Sequence, residues 1–382
     1  MKISLPDSEG RRTDYVLRAH PLPEAPLPAG AVRTVYCAAH VVADPFSAAD
    51  PSGRAAIDWD ATMAFRRHLA GLGLGIAEAM DTAQRGMGLD WGGAHELIAR
   101  TRAEVPDAMV ANGCGTDQLD PAQARGLEDV TRAYLDQVEA IQRLDARIVL
   151  MASRALARVA RSPEDYAQVY GRVLEACDHP VILHWLGEMF DPALAGYWGA
   201  ARFEDALETV LGIIADNRAK VDGIKISLLD KDKEIAMRRR LPDGVKMYTG
   251  DDFNYPELIE GDAQGFSHAL LGIFDPLAAA AAHAVGRLGA GDAAGFRATL
   301  DPTVPLARLI FRAPTQFYKT GVVFLAWLNG FQDHFIMLGG AQAMRPLPYF
   351  TEAFRLADGC GVLRDPELAV ARMKRLLALY GA

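Results

Sequence analysis

Lysine is scarce in this chain: it occupies only positions 2, 220, 225, 231, 233, 246, 319 and 374, against 32 arginines. Most of these lysines stand in polar surroundings, whereas Lys225 and Lys246 are set in apolar runs. Cysteine is scarcer still. Cys37, Cys114, Cys177 and Cys360 are far apart, with no CxxC pair and no Cys/His spacing of a structural zinc site, so they read as reduced thiols and argue against a disulfide scaffold. No apolar run approaches the roughly 18 residues a membrane span needs, and the opening "MKISLPDSEGRR" has no apolar signal-peptide core. The expectation is a cytoplasmic protein with no membrane partner. Basic charge is also lacking. A net charge of −9 disfavours a nucleic-acid partner, and the one dense basic cluster, "MRRRLP" at 237–242, reads as the solvated face of a helix.

What is present is a long chain, half of it hydrophobic, with room for a large core. After a Pro-rich stretch, "HPLPEAPLPAGA" at 20–31, short β-prone runs alternate with longer helical patterns, the signature of βα units and a parallel sheet. Strands are predicted at 33–39, 75–80, 108–112, 147–153, 180–185, 223–227, 245–250 and 265–270. Helices are predicted at 59–71, 92–104, 125–141, 163–177, 202–217, 231–240, 253–260 and 275–288. Eight such units over about 250 residues predict an α/β fold, a closed (β/α)8 TIM barrel. No GxGxxG follows the first strand, which counts against an open nucleotide-binding sheet. The expected organisation is an N-terminal leader (1–32), the barrel (33–289) and a C-terminal helical subdomain (290–382) containing "QFYKTGVVFLAWLNGFQDHF" and "DPELAVARMKRLLAL". Its apolar helical stripe, Lys319 included, reads as packing within that subdomain or as an oligomer contact.

Lys225 lies in "VDGIKISLLDKD" (221–232), inside the sixth predicted strand and near its end. Strand alternation puts Gly223, Lys225 and Ser227 on one side and Ile224 and Ile226 on the other. A desolvated lysine loses its proton more easily and can attack a carbonyl as a neutral amine. Two other roles suit the position: an electrostatic contact for a carboxylate or phosphate, and an ion pair with Asp251 or Asp252.

The ordered set "VDGIKIS", a helix, and "GVKMYTGDDFNYPELIEGDAQGFSHALLGIFDP" resembles the dihydrodipicolinate synthase and N-acetylneuraminate lyase superfamily, in particular a dihydrodipicolinate-synthase-like bacterial branch. In that superfamily a GIK strand carries the Schiff-base lysine, a GDD follows the next strand, and a glycine-led strand and a proline come after. Lys225, Gly250-Asp251-Asp252, Gly265 and Pro276 match in order, and the helical tail resembles the family's own. The resemblance implies a class I lyase, aldolase or dehydratase that forms an imine at Lys225 with a small carbonyl substrate, needs no cofactor or metal, and is compatible with a homo-oligomer.

Two family motifs depart. Where a YNxP sequence supplies a proton-relaying tyrosine, this chain has "VILHWLGEMF", placing His184 at the tyrosine. Histidine can transfer protons near neutral pH, and it can equally be a strand-end side chain bonded to backbone. Where GTTGE binds the carboxylate of a 2-keto acid, this chain has "AMDTAQRG": Thr82 and Gln84 match, but Asp81 replaces the first threonine and would repel a carboxylate. The expected catalytic residues are Lys225, His184 and Asp81, with Thr82, Gln84, Ser227, Asp251, Asp252 and His268 as substrate-binding residues. A lining rich in hydrogen-bonding groups suits a sugar or sugar acid. The alternatives are a metal-dependent sugar isomerase or epimerase, with ligands drawn from His40, Glu78, Asp81, His184, Asp251 and His268, and a non-catalytic metabolite-binding protein. No HxH or HExxH spacing favours the metal.

Overall fold

A computed structural model describes residues 1–51, 53 and 55–382. Eight parallel strands close into a barrel in the order β10-β3-β4-β5-β6-β7-β8-β9. They are β3 (Val35–Ala38), β4 (Gly75–Glu78), β5 (Val110–Cys114), β6 (Arg147–Leu150), β7 (Val181–Leu186), β8 (Val221–Ser227), β9 (Lys246–Thr249) and β10 (His268–Leu271). Each coincides with one of the eight predicted runs. The crossover helices do too: α1 (Trp59–Gly71), α2 (Trp91–Glu104), α3 (Leu127–Gln142), α5 (Pro163–Glu175), α6 (Phe203–Asp216), α7 (Lys231–Arg238), α8 (Tyr255–Glu260) and α9 (Ala278–Gly289). A short α4 (Arg154–Val159) was not anticipated. Aspartates fix several helix starts by accepting orphan backbone N–H groups, as Asp58 does from Ala61 and Asp90 from Gly93.

The barrel lumen is filled by small and aromatic side chains from alternate strand positions, including Ala38, Ala77, Ala111, Val149, Ile182, Tyr248 and Leu270. Outside β3, β4 and β10 the apolar layer of Val35, Ile76 and Leu271 runs without a break into Phe296, Leu306, Phe324, Phe350 and Met373. Those residues belong to α10 (Ala293–Leu300), α11 (Val304–Ile310), α12 (Tyr318–Leu328), α13 (Leu347–Gly359) and α14 (Pro366–Leu379). The helices after the barrel therefore share its core. Sequence periodicity had shown two of them and passed over α10, α11 and α13.

The leader begins with an antiparallel hairpin, β1 (Lys2–Pro6) and β2 (Arg12–Val16), which was also unforeseen. Its exit is anchored on the buried Asp358 of α13, whose carboxylate accepts from the Tyr15 hydroxyl (2.7 Å) and the Arg18 and Ala19 amides (2.8 and 3.1 Å). In the basic cluster, Arg239 and Arg240 are half exposed as expected, but Arg238 is buried and pairs with Asp262 at 2.9 Å. No helix among the described residues is long and apolar enough to cross a membrane.

Candidate active site

A small cavity lies at the C-terminal mouth of the barrel. Lys225, Ser227, Asp252, Asp81 and Thr82 line it from the barrel, and Phe190, Phe311 and Tyr318 roof it. Each of these barrel residues sits near or just beyond the C-terminal end of a strand, where (β/α)8 proteins place their chemistry. At about 10 Å3 the cavity holds roughly one water.

Lys225 is 7% exposed and makes no hydrogen bond or ion pair among the described residues. Burial lowers its pKa, opposed by the nearby Asp81 and Asp252 carboxylates. Gly250, just past β9, gives it room: a Cβ there would lie 2.2 Å from Ser227 Oγ and 2.7 Å from Lys225 Cε. Asp252 is buried, and one carboxylate oxygen accepts from the Ile273 amide at 2.8 Å. Burial pushes its pKa up to about 7, opposed by that hydrogen bond and by Lys225. Asp81, in a single helical turn after β4, is half buried, and its carboxylate accepts no hydrogen bond among the described residues. Two acidic groups thus flank an amine with a weakened hold on its proton.

Thr82 Oγ1 lies 2.8 Å from the Tyr318 hydroxyl. The Tyr318 ring stacks on Phe311 with centroids 4.3 Å apart and planes 15° from parallel. Burial, reinforced by the Asp81 charge, holds Tyr318 well above the usual tyrosine pKa, so the phenol keeps its proton. Nothing in the sequence reading pointed to Tyr318. The segment was expected to serve packing, and α12 is indeed buried along its whole length. Its first residue nevertheless reaches the barrel mouth. The one available signal was a tyrosine heading an otherwise apolar helix.

The other predicted residues have different places. His184 is paired in register with Lys225 across β7 and β8. It is buried and does not line the cavity, and its Nε2 is 3.3 Å from Ser227 Oγ. Burial, with Lys225 beside it, pushes its pKa well below the usual histidine value, so it is a neutral group behind Ser227. Gln84 turns away from the cavity: it sits at a φ of 63° and its amide donates to the carbonyls of Met87 and Leu338, fastening the barrel mouth to the C-terminal helices. Asp251 is a turn residue that accepts from the Phe253 and Asn254 amides and the Asn254 side chain. His268 opens β10 instead of ending it, so it lies at the opposite end of the barrel and accepts from the Thr34 amide. The predicted strand had begun three residues too early, and that moved His268 to the wrong mouth.

Two of the side chains weighed as metal ligands, His40 and Glu78, are committed elsewhere. His40 pairs with Asp275 at 2.8 Å. Glu78 is gripped by Arg66 through two bonds of 2.8 and 2.9 Å and accepts from Thr101 and the Ala79 amide. Among the described residues no three His, Cys, Asp or Glu side chains converge as a metal-binding group.

A family model described as "Protein of unknown function (DUF993)" matches residues 3–382. No curated protein matches the sequence. Solved structures show the same fold. A dihydrodipicolinate synthase from Thermotoga maritima aligns with a TM-score of 0.64 at 15% identity, covering 87% of this chain and 99% of that one. A chloride-inhibited dihydrodipicolinate synthase from Acinetobacter baumannii, complexed with pyruvate, gives 0.64 at 16% identity with the same coverage. YagE, a prophage protein of the dihydrodipicolinic acid synthase family from E. coli K12 in complex with pyruvate, gives 0.63 at 16% identity over 92% of this chain and 99% of that one.

Proposed function

The chain belongs to the family described as a protein of unknown function (DUF993), whose description names no reaction, and we propose from its site that it is a class I, imine-forming lyase. The observation that carries the reading is Lys225, a buried amine with no ion-pair partner among the described residues, its pKa lowered, facing a cavity with Asp81, Asp252 and the Thr82–Tyr318 pair. Two proteins of the same fold were solved with pyruvate, a small carbonyl compound.

In this reading the neutral Lys225 amine adds to the substrate carbonyl carbon, and the carbinolamine loses water with a proton from Asp252, leaving an iminium. The iminium accepts the electron pair of the bond that breaks next. Asp81 takes the proton from the β-hydroxyl as the Cα–Cβ bond opens and the β-carbon departs as a carbonyl fragment; the enamine that forms is protonated from Tyr318, and the proton held by Asp81 returns to Tyr318 through Thr82. Water then releases the product and restores the amine. Tyr318 takes the proton-moving role that the sequence reading gave to His184.

Besides Lys225, the cavity offers two carboxylates and no cationic side chain among the described residues. It therefore favours a carbonyl substrate that is neutral and hydroxylated next to the reacting carbon, such as a keto sugar, over a 2-keto acid. The aromatic roof must part to admit it. The test is sodium borohydride trapping with keto sugars, sugar acids and 2-keto acids, read by intact mass and peptide mapping. A reduced adduct on Lys225 with a neutral hydroxylated carbonyl compound is expected. Failure to trap any compound, or an adduct that persists in Lys225→Met, would overturn the mechanism.

A further inference from the structure

A cavity of about 610 Å3 opens at the opposite end of the barrel. That is within the range of small-molecule sites and far larger than the space around Lys225. Thr34, Tyr36, Arg147, Asp222, Lys246 and Tyr248 line it from residues just before or within the first three positions of a strand, and Arg102 and Asp145, paired with each other at 3.0 Å, also border it. This face of a (β/α)8 barrel ordinarily serves stability. Here it is open and charged.

The donors and acceptors do not balance. The Asp222 carboxylate is committed, one oxygen accepting from Lys246 Nζ (2.8 Å) and the other from the Tyr248 hydroxyl (2.7 Å). Arg147, an exposed residue, lines the same space, and its guanidinium has no hydrogen bond or ion pair among the described residues, so water is its only partner for a ligand to displace. The Tyr36 hydroxyl also has no hydrogen-bond partner among them, although the residue is only 5% exposed. Burial, together with the Asp222 charge, pushes the Tyr36 phenol up to about 12, so it stands ready as a neutral donor. With Arg102 offset by Asp145 and Lys246 by Asp222, the described lining carries one uncompensated positive charge, that of Arg147, the residue best shaped to grip an oxyanion in two places.

We infer that this cavity is a second ligand site, for a small oxyanion bearing hydroxyls, held by the Arg147 guanidinium with the Tyr36 hydroxyl and Lys246 beside it. A carboxylate and a phosphate monoester share the chemistry, and the experiment separates them. The site is also in contact with the barrel that carries the amine. Tyr248 is paired in register with Lys225, and its ring lies against β8 where Gly223 leaves space; a Cβ on Gly223 would come within 2.7 Å of Tyr248 Cε2. An occupant would therefore rest against the strand that bears Lys225.

The test is isothermal titration calorimetry of the full chain with inorganic phosphate, glycerol 3-phosphate and glycerate, on wild type, Arg147→Ala, Tyr36→Phe and Lys225→Met. Arg147→Ala removes a side chain without partners among the described residues, so the fold is expected to persist. Saturable binding of at least one probe is expected, weakened about tenfold or more by Arg147→Ala and less by Tyr36→Phe, and unchanged by Lys225→Met. Preference for glycerate over the two phosphates would identify the oxyanion as a carboxylate, and the reverse order a phosphate. Three results would overturn the inference: no probe binding more tightly than about 1 mM, binding indifferent to Arg147→Ala, or binding lost in Lys225→Met, which would place the ligand at the other mouth.

Discussion

Replacing Tyr318 by phenylalanine removes one oxygen atom and separates the two things this residue does. The ring should keep its stack on Phe311, 4.3 Å between centroids, so the roof should stay in place. What is lost is the 2.8 Å bond to Thr82, whose hydroxyl is 1% exposed. A lost hydrogen bond of this kind, with a partner left unsatisfied, costs about 1–3 kcal/mol, which in a chain of this size lowers the melting temperature by only several degrees. The catalytic consequence should be much larger, because a positioned proton donor contributes roughly 10^2 to 10^4 in rate. Imine formation uses Lys225 and Asp252, which the substitution leaves in place. The expected outcome is a folded enzyme in which borohydride still traps the substrate on Lys225 while turnover of that substrate falls at least a hundredfold. Turnover and trapping would be measured on the same preparation, using whichever compound forms the adduct. If Tyr318→Phe kept kcat within about tenfold of wild type, the proton route through Tyr318 would be wrong. Loss of trapping together with turnover would mean that the hydroxyl builds the site and does not move protons.

Three further outcomes follow from buried groups. Glu234 is buried on α7, where it accepts from the Ser267 hydroxyl at 2.7 Å while its other oxygen is unpartnered among the described residues, and burial raises its pKa from 4.5 to about 8. The folded state then holds a proton that the unfolded chain releases, so stability falls as pH rises between those two values by about 1.4 kcal/mol per unit. Glu234→Gln should therefore match wild type in urea unfolding near pH 4 and exceed it by roughly 3–5 kcal/mol at pH 9, and equal unfolding midpoints at pH 9 would contradict this. Gly250→Ala should suppress borohydride trapping more than it lowers the melting temperature, since the added methyl meets Lys225 Cε and Ser227 Oγ; unaltered trapping kinetics would show that the lysine has another way to lie. Arg66→Met strands the buried Glu78 carboxylate and should cost about 3–5 kcal/mol in urea unfolding, much of it recovered by adding Glu78→Leu. A double variant no better than the single one would show that the two charges are not coupled.

The barrel was legible because its signals are local. Each strand is a short apolar run between turn residues, and Lys225 stands out because an amine in such a run is costly without a use. Function was legible only as far as it follows strand alternation. Asp251 and Asp252 are adjacent and read alike, yet one closes a turn and the other faces the amine, a difference set by a loop conformation that no period describes. Gln84 matched a family position, but a left-handed backbone turns it toward Leu338. Tyr318 was hidden for a different reason: Thr82 and Tyr318 are 236 positions apart in the chain, and only the packing of α11 and α12 against the barrel brings them together.

Two of the three aromatic side chains over Lys225 are made last. Phe311 and Tyr318 follow all eight barrel strands in the chain, so during synthesis the barrel emerges with its mouth uncovered. Water at an open mouth would solvate the ammonium and return Lys225 toward the pKa of an ordinary surface lysine. In the proposed mechanism the amine becomes nucleophilic only when the C-terminal helices dock and dry it. On the proposed mechanism, docking of the C-terminal helices, which also completes the shared core, is the event that arms the site.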